Sequence, residues 1–162
     1  MRLFVDTEFT DFIDCELISI GLVSEDGRHE FYAEVADYDR QKCNAHVQAG
    51  IWPLLGKTPE AVIPRAVLTE QLRTWFAGLP DRLTIASDAY QDWELLVDML
   101  DGELPANIQG REDLRGLADS SVFHRAVCQY HAQPGQPWHH ALHDARAHRA
   151  GWLAWLDHNK TS

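Results

Sequence analysis

The chain has 162 residues, 45% of them hydrophobic and 24% charged, which suits one globular domain (1–162) with a substantial core of its own. Its formal net charge of −11 argues against a basic surface that grips long nucleic acid, since such binding is driven by counterions released to Lys and Arg. Cys15, Cys43 and Cys128 form neither a disulfide framework nor a CxxC knuckle, no apolar run approaches the roughly 18 residues of a membrane span, and "MRLFVDTEF" lacks a signal-peptide layout; a reducing cytoplasm is the expected location.

Residues 2–6, 17–23 and 29–35 read as three strands, and Asp26-Gly27 in "SEDGR" joins the last two as a hairpin. A helix over 64–78 opens with Pro64 and spaces Leu68, Leu72, Trp75 and Leu79 by three or four. A short strand "LTIA" (83–86) leads to a helix with Trp93, Leu96, Val97 and Leu100 on one face. Residues 113–132 read as mainly helical, "QPGQP" (133–137) breaks the chain, and a last helix runs from about 140 to 157. Antiparallel strands first, then alternating helix and strand, imply an α/β mixed sheet flanked by helices.

The first strand ends on Asp6 and Glu8. Residues i and i+2 of a strand face one side, so the two carboxylates repel unless a cation or solvent compensates. Hard divalent ions take such oxygens. Acids at a fraying strand end would otherwise be unremarkable. In "IASDAYQDWELL", Ser87 or Asp88 reads as a helix N-cap and Asp92 as a first-turn acid, which the helix dipole favours without any function. In "WHHALHDARAHRA", His139 precedes the last helix and Asp144 sits in its first turns. His140, Asp144 and His148 recur at spacing four, so a zinc pair is a rival to plain packing of His148, although H-E-x-x-H and a cysteine cluster are both missing.

"DTEFT" (6–10), Asp92 after a central strand and "HHALHDA" (139–145), in this order, resemble the DEDDh 3′–5′ exonucleases of the ribonuclease H-like superfamily. "DTEFTDFIDCELISIGLV" in particular is similar to the compact single-domain 3′–5′ exoribonucleases of bacteria. The resemblance implies a ribonuclease H-like sheet in which Asp6, Glu8, Asp92 and Asp144 hold two Mg²⁺ or Mn²⁺ ions. Asp6 would bridge both ions, Glu8 and Asp144 would complete the water-binding one, and Asp92 would act mainly through the water shell of the second. His139 would be the general base, since the family spacing places that histidine five residues before the last acid. Asp88 departs from the pattern, for relatives often carry Asn there.

By the same resemblance, Phe9 and Thr10 would hold the terminal nucleotide. The partners implied are 3′ ends of single-stranded nucleic acid, RNA preferred, with a nucleoside 5′-monophosphate as product and a homodimer as the assembly. DNA 3′-end trimming is the alternative within the fold, because the 2′-hydroxyl contact that separates RNA from DNA is not legible in sequence. A ribonuclease H-type endonuclease and a non-catalytic nucleotide-binding module are further rivals.

Overall fold

The computed structural model describes residues 1–160. One six-stranded mixed sheet carries every other element, in the order β4-β3-β2-β1-β5-β6. Strands β1 (Arg2–Phe9), β2 (Leu17–Ser24) and β3 (Glu30–Val35) form an antiparallel meander. The two-residue β4 (Val62–Ile63) runs parallel to β3, β5 (Leu83–Ser87) parallel to β1, and β6 (Ile108–Asp113) parallel to β5. The β2–β3 turn closes as expected: Gly27 takes φ +72°, its N–H donates to the Ser24 carbonyl, and the Asp26 carboxylate accepts from Ser24 Oγ and the Arg28 N–H.

Alternation along β1 sends its side chains into two layers. Leu3 and Val5 point into a core filled by Leu68, Leu72 and Phe76 of α1 (Arg65–Ala77) and by Leu95, Leu96 and Met99 of α2 (Tyr90–Met99). Phe4 points the other way, against Phe123 and Val127 of α4 (Ser121–His131) and Ala145 and Trp152 of α5 (Ala141–Lys160). A single turn, α3 (Arg115–Ala118), links β6 to α4. Asp6 and Glu8 share the parity of Phe4, so both emerge on the α5 side.

Helix α5 reaches that side through a gap at Gly21, the cross-strand partner of Asp6. A Cβ at position 21 would lie 2.3 Å from the Leu142 nitrogen and 2.4 Å from the Ala141 carbonyl carbon. The first turn of α5 therefore rests on bare strand backbone, one residue pair away from Asp6. Only glycine permits this approach.

Two stretches differ from the sequence reading. Strand β6 lay unrecognised, partly inside residues taken as helical, because "IQGRED" buries only Ile108 and shows no alternation. Residues 36–61 hold short 3₁₀ and π turns at Arg40–Lys42, Val47–Ile51, Trp52–Leu54 and Pro59–Ala61, too brief to leave a periodic signal. Asp88 does not cap α2 either. Ala89 occupies the cap position, and Asp88 turns toward His148 of α5.

Overpacking at a site bounded by backbone typically costs about 1–3 kcal/mol. Gly21→Ala is expected to destabilise by at least that much, measured by thermal or urea unfolding, whereas Gly116→Ala, with open space around it, changes little.

Candidate active site

Three carboxylates from distant parts of the chain meet where β1 ends. Asp6, Glu8 and Asp144 each bring an oxygen within 4.8 Å of the other two. Strand pleat aligns Asp6 with Glu8, and the α5 contact at Gly21 lowers Asp144 between them. Asp144 is further held by the His140 N–H, which donates to its Oδ2 at 3.0 Å. Asp6 also belongs to a second group, with Asp88 and His148, that meets the same 4.8 Å limit.

Asp92 comes from the opposite layer and is 2% exposed. The Thr7 N–H (3.0 Å) and Thr7 Oγ (2.7 Å) both donate to its Oδ1. The strand that carries Asp6 and Glu8 thus orients Asp92 with the residue between them. Its other oxygen, Oδ2, is buried without a hydrogen-bond partner among the described residues.

Crowding shows in the proton affinities. Burial, then the fields of Asp92, Asp144, Glu8 and Asp88, push Asp6 well above the usual carboxylate range. Glu8 rises to about 8, through burial and then Asp144 and Asp92. Burial lifts Asp92 to about 6 against the lowering effect of the Thr7 bonds, and it lifts Asp144 as well. A divalent cation removes this penalty by replacing repulsion with attraction. The donor set is all carboxylate oxygen at the Asp6–Glu8–Asp144 group, which suits a hard ion such as Mg²⁺ or Mn²⁺. The orphaned Asp92 oxygen fits the same cation chemistry.

The histidines divide into separate tasks. His139 is exposed, with a left-handed backbone (φ +60°) and its ring edge-on to His46 at 4.9 Å between centroids. Its charge is one of those that act on Asp144. His140 stacks on Tyr32 (4.6 Å, 20°), and burial followed by the nearby His143 lowers its pKa to about 4. His148 is buried with Nε2 3.3 Å from Asp88 Oδ2. Burial alone would lower its pKa, but the bond to Asp88 and the charges of Asp88, Asp92 and Asp144 outweigh it and leave the group raised. His140 thus stacks on Tyr32 while His148 meets Asp88, and of the two only His148 belongs to a group of possible metal ligands among the described residues.

His131 escaped the sequence reading. It lies at the end of α4, where its Nδ1 faces the Gln136 carbonyl at 3.1 Å, its Nε2 stands 3.1 Å from Asp144 Oδ1, and its ring stacks on Trp138 at 3.8 Å. Asp144 lies thirteen positions further on, across a loop between helices, so no local spacing points to it. Thr7 was equally silent, being an ordinary strand residue until Asp92 meets it.

The two residues expected at the terminal-nucleotide pocket separate. Phe9 is half-buried and edge-on to Phe12, 5.1 Å between centroids, and Phe12 is 75% exposed. Thr10 is fully buried. Its hydroxyl donates to the Asp14 carbonyl and accepts from the Glu16 N–H, while its own N–H donates to the Glu16 carbonyl. Thr10 therefore braces the loop that presents Phe12, with its hydroxyl donor and one acceptor position taken up by that loop.

A mixed sheet with an antiparallel meander at one end, parallel strands at the other and acids gathered beside its central strand is the ribonuclease H-like nuclease scaffold. A crystal structure of a full-length 3′-exonuclease superposes with a TM-score of 0.62, covering 98% of this chain and 82% of that one at 11% identity. A second solved structure, described as 3′-end specific recognition of histone mRNA stem-loop by 3′-exonuclease, has a TM-score of 0.57, covering 94% and 63% at 13% identity. At such identities the likeness speaks for the fold alone.

The family follows from the sequence model for the Rv2179c-like 3′–5′ exoribonuclease domain, which matches residues 1–156: the chain belongs to this family. The curated 3′–5′ exoribonucleases Rv2179c and MT2234.1, from two strains of Mycobacterium tuberculosis, are each 46% identical to it over 56 residues. That stretch spans 34% of this chain and 33% of each relative, about a third of their length.

Raised carboxylate pKa values are stability statements. Each of these acids binds its proton more tightly in the fold than in the unfolded chain, where a carboxyl titrates near pH ~4. The penalty is absent below that pH and grows as pH rises toward about 8, where Glu8 ionises. Asp6→Asn is expected to raise the melting temperature in EDTA at pH 8, with a smaller gain at pH 5. Mn²⁺ should stabilise the wild type in a concentration-dependent way and the variant far less. A lower melting temperature for the variant at pH 8 in EDTA would contradict this electrostatic account.

Proposed function

We propose that this chain is a metal-dependent 3′–5′ exoribonuclease that removes nucleoside 5′-monophosphates from the 3′ ends of single-stranded RNA or short oligoribonucleotides. The observation that carries the reading is the convergence of Asp6, Glu8 and Asp144, with the unpartnered oxygen of Asp92 on the far side of β1. Family membership over residues 1–156 supports the reaction class.

Asp6, Glu8 and Asp144 would hold one Mg²⁺ or Mn²⁺, and Asp6 with Asp92 a second. Such a pair supplies an activated water and neutralises charge at the phosphorus and the leaving oxygen. The protein side of the reaction falls to a few groups. His139 is the proton acceptor for the attacking water, since a ring nitrogen of its exposed imidazole can take a proton and the ring can turn toward the phosphate. His140 is unsuited, with its ring stacked on Tyr32 and its N–H bonded to Asp144. Water oxygen bonds to phosphorus, the P–O3′ bond breaks, and the leaving strand takes a proton to end in a 3′-hydroxyl. Thr7 keeps Asp92 aimed, and His131 braces Asp144 from behind.

Phe9 and Phe12, an edge-on pair just past Glu8, would offer an aromatic face to the terminal base, where a stacking contact contributes about 1–3 kcal/mol. The acidic surface favours short strands engaged over a few nucleotides rather than long duplexes. A cytoplasmic location and a homodimer belong to the same proposal, and sedimentation at twice the chain mass is the result expected for the dimer.

A 3′-labelled RNA oligomer should lose label as nucleoside 5′-monophosphate with Mg²⁺ or Mn²⁺ present, faster than the matched DNA. Asp6→Ala and Asp144→Ala should abolish this, and His139→Ala should slow it by about 10²–10⁴-fold, the span of general base catalysis. Undiminished cleavage by Asp6→Ala, or cutting of a circular RNA, would overturn the assignment.

A further inference from the structure

A cavity of about 650 Å³ opens beside the carboxylates. Lys57 and Thr58 line one part of it, while His131 at the end of α4, Gln136 and His140 in the loop that follows, and His143 in the first turn of α5 line the rest. Two of these also touch the acid group: His131 approaches Asp144 Oδ1, and the His140 N–H donates to Asp144 Oδ2. The cavity begins where the acid cluster stops.

Its chemistry is opposite to that of the cluster. In a chain of net charge −11, no acid lines this cavity among the described residues, which instead offers one lysine and three imidazoles. Two buried polar atoms on its lining residues lack a partner among the described residues, Gln136 Oε1 and His140 Nδ1, while His131 Nε2 is taken up by Asp144. His131 is itself only 8% exposed. Buried polar groups without partners are rare in folded proteins and each calls for an explanation. Two on residues that line one cavity point to a ligand that supplies hydrogen-bonding groups of its own.

We infer that this cavity is the subsite for the nucleotide on the 5′ side of the scissile phosphate, the penultimate residue of the strand. The inference rests on the nuclease reading. The volume lies within the range of small-molecule sites, roughly 300–1,000 Å³. The polar lining suits a sugar, a phosphate and a base edge. Lys57, exposed at the rim, is a point charge for the next phosphate along the strand. Gln136 and His140 present an amide and a ring nitrogen to the base or ribose. The strand would then run from the terminal nucleotide at the acid cluster into this cavity.

The test compares two substrates. A 4-nitrophenyl ester of a nucleoside 5′-monophosphate offers the terminal nucleotide with nothing beyond the phosphorus except the phenol. A trinucleotide offers the penultimate nucleotide as well. Lys57→Ala and Gln136→Ala are mild changes: neither side chain has a hydrogen bond or ion pair among the described residues, and the Gln136 carbonyl that faces His131 is retained. Both variants are expected to raise KM for the trinucleotide by about tenfold and to leave the ester within about twofold of wild type. No change on either substrate, or an equal change on both, overturns the subsite.

If wild type cleaves neither substrate, the nuclease reading fails and binding decides the cavity. A dinucleotide whose bridging 3′-oxygen is replaced by methylene is titrated with Mn²⁺ present, against the nucleoside monophosphate. Tighter binding of the dinucleotide, lost in both variants, retains the subsite; equal binding of the two removes it.

Discussion

The site depends on the landing of one helix on one bare strand position. Helix α5 sets its first turn on β2 at Gly21, directly across the ladder from Asp6. Any side chain there would lift the helix, and Asp144, one turn in, would leave the neighbourhood of Asp6 and Glu8. The acids are thus joined by a backbone contact and not by attraction, because like charges cannot bring one another together. Packing of Ala145 and Trp152 against Phe4 holds the helix in place while the carboxylates resist.

That arrangement places a repulsive cluster inside a well-packed frame. Burial and mutual fields raise Asp6, Glu8, Asp92 and Asp144 together, so the metal-free protein holds a locally unfavourable charge distribution that a cation reverses. The surrounding polar groups temper the strain unequally. Thr7 gives Asp92 two hydrogen bonds, His140 gives Asp144 one, and His148 answers Asp88, which itself stays below the usual carboxylate range once that histidine offsets its burial. Asp6, at the centre of both groups that could take a metal, is where the repulsion concentrates.

The charge is unevenly spread around the site. Beside the acid cluster lies a cavity lined by Lys57 and three histidines, free of acid among the described residues. An overall negative protein can still receive a polyanion when cations occupy the acids and the basic groups line the path of the strand.

Much of this was legible in the one-dimensional pattern. Short apolar runs and the Asp26-Gly27 turn marked β1, β2 and β3, the apolar spacing marked α1, α2 and α5, and the pleat put Asp6 and Glu8 on one side of β1. Each of those features arises among neighbours in sequence, where pleat and helical pitch dictate which side chains share a face. Strand β6 stayed hidden because an edge strand that buries only Ile108 carries no alternation. Asp88 passed for a cap because its partner His148 lies sixty residues away. That Thr10 is buried with its hydroxyl bonded into its own loop is likewise invisible in sequence. The aim of Asp92, the brace from His131 and the closeness of Asp144 to Asp6 come from contacts across the sheet, between residues whose separation along the chain erases any periodic trace. Local residue order was enough to specify the elements and nominate the acids. Their gathering into one cation-demanding cluster required the packed sheet, because only packing against both of its faces supplies the force that holds like charges side by side.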